Sequence, residues 1–193
     1  MKKIFAICIV AMGLVSMPQS VSAQGFFGKL TKGIEKVNKA LDNANTKTQI
    51  ATGQAEQQAN GVIVINPVSK AMAVEVVKAI GRSSSENFGD VEIILRVNVK
   101  EPVNSIALGG SWGQGKTQAF DADGNVYKMK MPSVSDRYEV TEGLPVKITC
   151  SPFLKVRKSN TSLAIVKIVA KCGEASGEMT LKNVPIEWDP VEE

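Results

Sequence analysis

Three stretches of this chain set residues of chemical interest at suggestive spacings. Gly110-Ser111-Trp112-Gly113-Gln114-Gly115-Lys116-Thr117 matches G-x-x-x-x-G-K-T, the loop that cradles phosphates. That loop works because a following helix aims its N-terminal amides at the phosphates. Only Gln118, Ala119 and Phe120 separate Thr117 from an acidic turn, so no helix fits and the stretch reads as a glycine-rich loop between strands. Asp121-Ala122-Asp123-Gly124-Asn125 offers oxygen ligands for calcium, but an EF-hand wants Gly at loop position 6 and Glu at position 12. Val126 and Pro132 stand there instead. A β-hairpin turn with positive φ at Gly124 explains the same residues, leaving a weak non-EF site on Asp121, Asp123 and Asn125 as the alternative.

The third pair is Cys150 and Cys172. Both fall on the inward phase of alternating segments, and a disulfide would close a loop of 172 − 150 = 22 residues and add about 3 kcal/mol. Two buried thiols acting as small hydrophobes are the alternative. Without a C-x-x-C, a redox role is not expected. The chain has no histidine, which removes Ser-His and Cys-His pairs, His-ligated zinc and the usual base near neutral pH. Two carboxylates could still hydrolyse a glycosidic bond. However, aromatic residues make up only 5% of the chain, too few for the platforms that grip sugars. No catalytic residue, cofactor site or metal site is assigned. Trp112, in a glycine-rich loop, is the best single candidate for a contact residue, since binding hot spots favour Trp. Trp188 ends the apolar alternation Val184, Ile186, Trp188 and reads as core.

The elements that would hold these residues follow an export signal. Lys2 and Lys3, the apolar run Ile4 to Val15, Pro18 and the small-residue site Val21-Ser22-Ala23 describe a cleavable signal peptide over residues 1–23. The run is shorter than the roughly 20 residues of a membrane span. Cys8 follows Ile7 within it, where a lipobox wants a small residue, so no lipidation is expected. Cleavage leaves 193 − 23 = 170 residues, enough for one domain with a sizeable core. The expected address is periplasm, outer-membrane surface or extracellular space, where ATP is not supplied.

Residues 24–47 predict an amphipathic helix. Phe27, Leu30, Ile34, Val37 and Leu41 recur at spacings of three and four, with Lys29, Lys32, Lys36 and Lys39 on the other faces. Gly28 and Gly33 cost about 1 kcal/mol each against Ala, so this helix needs an apolar surface. It could lie on the β domain, pair with another helix, or touch an anionic membrane face. Residues 24–50 carry five Lys and two acids, net +3. Residues 51–193 carry 16 basic and 17 acidic residues, net −1, so no field for nucleic acid exists. Residues 48–61 are polar and read as a linker, and residues 190–193 as an acidic tail.

Residues 62–189 alternate at period 2. Val91, Ile93, Leu95, Val97 and Val99 share one face, as do Tyr127, Met129 and Met131; Val146, Ile148 and Cys150; and Ala164, Val166, Ile168, Ala170 and Cys172. Further strands are expected at 62–65, 72–80, 103–108, 117–121 and 137–141, with a last one at 178–188 bulged near Asn183. Many short strands separated by turn signals predict an all-β, immunoglobulin-like antiparallel sandwich behind the helix, with a barrel as the alternative.

Leu95-Arg96-Val97-Asn98 and the hairpin Asp121-Ala122-Asp123-Gly124-Asn125-Val126-Tyr127 resemble the immunoglobulin-like modules of exported, Bacteroides-type bacterial proteins. The resemblance implies a fold and a cell-envelope address but no activity. The expectation is a non-enzymatic binding or envelope module whose partner is a protein or envelope component. A carboxylate-based surface hydrolase and a helix-mediated oligomer are the alternatives.

Overall fold

A computed structural model describes residue 49 and residues 55–109, 116–130 and 137–189. The signal peptide, the helix face (Phe27, Leu30, Ile34, Val37, Leu41), Trp112 and the acidic tail lie outside the described residues. The rest is nearly all β. The strands are β1 (Ala55–Gln57), β2 (Ile63–Ile65), β3 (Met72–Ser83), β4 (Phe88–Val99), β5 (Ser105–Leu108), β6 (Gln118–Phe120), β7 (Val126–Lys128), β8 (Arg137–Glu139), β9 (Val146–Thr149), β10 (Phe153–Arg157), β11 (Ser162–Cys172) and β12 (Ala175–Trp188).

Pairing divides them into two groups. In one, β1, β2, β12 and β11 lie side by side, and the far edge of β11 takes β5 at one end and β6 further along; β8 pairs with β5 and β7 with β6. In the other, the long hairpin β3–β4 carries β9 and β10 on the outer edge of β4. One hydrophobic core unites both groups. Val91, Ile93, Leu95, Val97 and Val99 of β4 are buried in it with Val166, Ile168, Met179 and Leu181 of β11 and β12. This is the alternating face that β-branched side chains build on a pleated surface.

β12 belongs to both groups. Residues 180–182 pair with β2, whereas Ile186–Trp188 pair in parallel with Ala79–Gly81 of β3. The wholly antiparallel arrangement expected from sequence is therefore corrected to a mixed one. The crossing happens at Asn183, whose φ of 57 places it in the left-handed region that Asn tolerates better than most residues. The β11–β12 register is the same on either side, Leu163 facing Val184 and Ile165 facing Lys182, so no residue is inserted where a bulge was expected. Instead the buried face slips. Leu181 is followed by Val184 on β12, and Leu163 by Val166 on β11. Hence Leu163, not the expected Ala164, points into the core.

Two strands were not foreseen. β10 hides its period because its register against β4 shifts between Phe153 and Val156, with Lys155 at φ 56, so its buried residues fall three apart. β1 lies within the stretch read as a linker. Its neighbours serve β3: Gln58 Nε2 donates to Val74 O (3.2 Å) and its Oε1 accepts from Val76 N (2.9 Å). Asn60 Nδ2 donates to Val76 O (2.8 Å), and Asn66 Nδ2 to Met72 O (2.8 Å). Side-chain amides thus occupy backbone groups that a neighbouring strand would otherwise bond.

The end of β12 is clamped by its indole. The Trp188 ring lies over Gly81 and Gly89, leaving no room for a Cβ at either position. Asp189 continues the clamp, its N–H donating to Gly81 O (2.9 Å) and its Oδ1 accepting from Ser83 N and Oγ (3.0 Å each). Gly81→Ala should force the indole aside and lower stability by about 1–3 kcal/mol, read as a lower urea midpoint with an unchanged slope.

Candidate functional site

The chemically suggestive stretches resolve differently once placed. After Thr117 the chain enters β6, paired with β11 and β7, so a strand and not a helix follows Lys116-Thr117. Thr117 Oγ1 accepts from Val169 N at 3.1 Å, and Lys116 N donates to Glu178 Oε2 at 3.3 Å. These bonds dock a loop end onto β11 and β12.

Asp121 sits between β6 and β7 and is 4% exposed, the buried charged side chain of the described residues. Its Oδ1 accepts from Asp123 N (3.0 Å) and Asn125 N (2.9 Å). Its Oδ2 accepts from Asn125 Nδ2 (2.8 Å), the Tyr127 hydroxyl (2.6 Å) and Asn160 Nδ2 (3.1 Å). Gly124 closes the turn at φ 83, as the hairpin reading expected. The carboxylate lone pairs are thus spent on protein donors rather than offered to a cation. Among the described residues, no three acidic or Cys side chains gather as a metal site. Asn160 in turn accepts from the Trp188 indole N–H at its carbonyl (2.8 Å), so the network ties the β6–β7 turn to the end of β12.

Burial raises the Asp121 pKa, but the bonds from Tyr127, Asn125 and Asn160 outweigh it and hold the carboxyl far below the usual carboxylate range. Burial, and then the bond to Asp121, push the Tyr127 hydroxyl up. A depressed folded-state pKa means that the contribution to stability is full above about pH 4 and is lost as pH falls through the folded value.

Cys150 and Cys172 are both buried, as their phase implied, but no disulfide joins them, and the expected bridge is corrected. Cys172 Sγ lies 3.9 Å from Ala71 O, and Ala71 O accepts from Lys100 N. Cys150 N donates to Ile93 O. Ile93 on β4 and Lys100 just past its end are seven residues apart, roughly 23 Å at about 3.3 Å per residue. A disulfide tolerates only about 7 Å between Cα atoms.

A groove of about 410 Å³ lies where the β1 end meets the outer faces of β3 and β4. Glu56 and Gln57 come from β1, Glu75 from β3, and Arg96 and Asn98 from β4, with Pro145 at the margin. The β3–β4 register sets Glu75 directly opposite Arg96, and their side chains form an ion pair of 2.9 Å. Both are more than half exposed, so the pair is worth at most about 1 kcal/mol. Asn98 Oδ1 is buried and has no partner among the described residues. A second hollow of about 330 Å³ lies by Asn104, Glu139 and Thr141.

Alternation puts Arg96 and Asn98 on the face opposite Leu95 and Val97, but nothing local brings Glu56 and Glu75 to them. That needs the hairpin register and the return of β1. Comparison of the chain with family models, with curated proteins and with solved structures gives no match.

Tyr127→Phe should cost about 1.5–3 kcal/mol at neutral pH, because a buried carboxylate loses a hydroxyl donor. Denaturant titrations at several pH values should show the gap to the parent shrinking below about pH 4.

Proposed function

We propose that this chain is exported, loses residues 1–23, and acts as a non-enzymatic binding or envelope module. Its β domain is read as an immunoglobulin-like sandwich. What supports that finer reading is the single core shared by two strand groups, together with the tight Asp121–Tyr127 hairpin. The groove of Glu56, Glu75, Arg96 and Asn98 is its contact surface, beside any contribution from Trp112.

The observation that carries the non-enzymatic reading is the commitment of the carboxylates. Glu75 answers Arg96 at 2.9 Å, and Asp121 is enclosed by five protein donors. General acid–base chemistry needs a group with a pKa near working pH and access to substrate. Asp121 has neither. The groove is open and mixes the charged Glu56, Glu75 and Arg96 with the apolar Ala59, Ala73 and Pro145, a lining suited to another protein's surface.

The partner is a protein or envelope component, and residues 24–47 mediate attachment or assembly. Fractionation of the native cell tests this, comparing full-length protein with a version whose mature chain starts at residue 51. Full-length protein should sediment with the envelope and the shortened form should stay soluble. If both stay soluble, the attachment role is wrong.

A carboxylate hydrolase remains the second reading, because Glu56 and Glu75 share one groove. The Glu56→Gln and Glu75→Gln variants separate the two readings. Glycosidase activity on envelope polysaccharide that either substitution abolishes would favour the hydrolase.

A further inference from the structure

The turn between β1 and β2 carries a reactive sequence in a reactive setting. Asn60 precedes Gly61, both are exposed, and beyond the two chain neighbours nothing lies within 4 Å of where a Gly61 Cβ would be. Succinimide formation needs the following backbone nitrogen to reach the Asn side-chain carbon, and a residue without Cβ leaves that approach clear. Val62 N donates to Asn60 Oδ1 at 3.1 Å. A donor on that oxygen stabilises the negative charge that develops there as the nitrogen attacks. Two bonds oppose the reaction, Gly61 N–H to Gln58 O at 3.0 Å and Asn60 Nδ2 to Val76 O at 2.8 Å, so attack waits on local opening of this turn.

The same amide is also a latch. Asn60 Nδ2 donates to Val76 O at 2.8 Å, beside the Gln58 amide that bonds Val74 O and Val76 N. Replacing the NH₂ by a carboxylate oxygen would set an acceptor against the Val76 carbonyl. Bond and donor would both be lost.

We propose that Asn60 is a self-modification site whose conversion to aspartate or isoaspartate unlatches the edge of β3. Gly61 N forms a bond to Asn60 Cγ and loses its proton to solvent base. The Cγ–Nδ2 bond breaks and nitrogen leaves as ammonia. Water then adds across one of the two imide carbonyls, giving aspartate or, with the main chain rerouted through the side chain, isoaspartate. No oxidant, reductant or enzyme is required.

The test ages the whole protein in mildly alkaline buffer beside a urea-unfolded sample, with peptide mapping at residue 60 and amide exchange at Val76. The expected result is conversion at Asn60 in both samples, at least about tenfold slower when folded because the turn must first open. Val76 exchange should speed up in the converted fraction. The Asn60→Asp variant should show the same faster exchange without ageing. If it does not fold, the aged protein supplies that reading itself. Conversion confined to the unfolded sample, or absent from both, would overturn the site. Conversion with Val76 exchange unchanged would overturn the latch.

Discussion

The structure depends on one strand serving two groups. β12 runs antiparallel beside β2 and β11, then parallel beside β3, and Asn183 is where it changes allegiance. A strand of uniform twist cannot follow two neighbours that diverge. A single left-handed residue redirects it without disturbing its register with β11. The cost of that conformation is modest for Asn and would be larger for a β-branched residue. The gain is that both halves of the core close over one another.

From that turn the remaining contacts follow in order. Beyond Asn183 the strand delivers Trp188 to the glycines of β3 and β4, where a flat ring substitutes for the side chains those positions lack. Its indole N–H then fixes the carbonyl of Asn160, whose amide faces Asp121 and the Tyr127 hydroxyl. A buried carboxylate is expensive unless several donors meet it, and here the donors come from the hairpin itself and from the β10–β11 turn. The polar network is therefore a cross-link between elements distant in sequence, built from hydrogen bonds in place of a disulfide.

The polar stretch before β2 has a second role that composition concealed. Gln, Asn and Ala give it little to bury, which is why it reads as a linker. Its amides, however, carry a donor and an acceptor each, the same pair that a peptide unit offers. Gln58 uses both on β3, bonding Val74 O and Val76 N. Amide side chains thus cover an edge that would otherwise invite a foreign strand. The same positioning of β1 creates the groove above Glu75 and Arg96.

The amino-acid order alone specifies the strands whose side chains alternate. Residues 91–99 and 166–172 could be read directly, because period 2 is a local property of an extended chain with one buried face. It also determined the Asp121–Tyr127 hairpin, whose turn needs Gly124. Packing between distant segments sets what depends on neighbours: the short β1, the bulged β10, the parallel partner of β12 and the separation of Cys150 from Cys172. Inward phase says that a side chain is buried, but not beside what. Register and crossing are set by contacts between segments far apart in the chain, and for that reason they stood in no single window of residues.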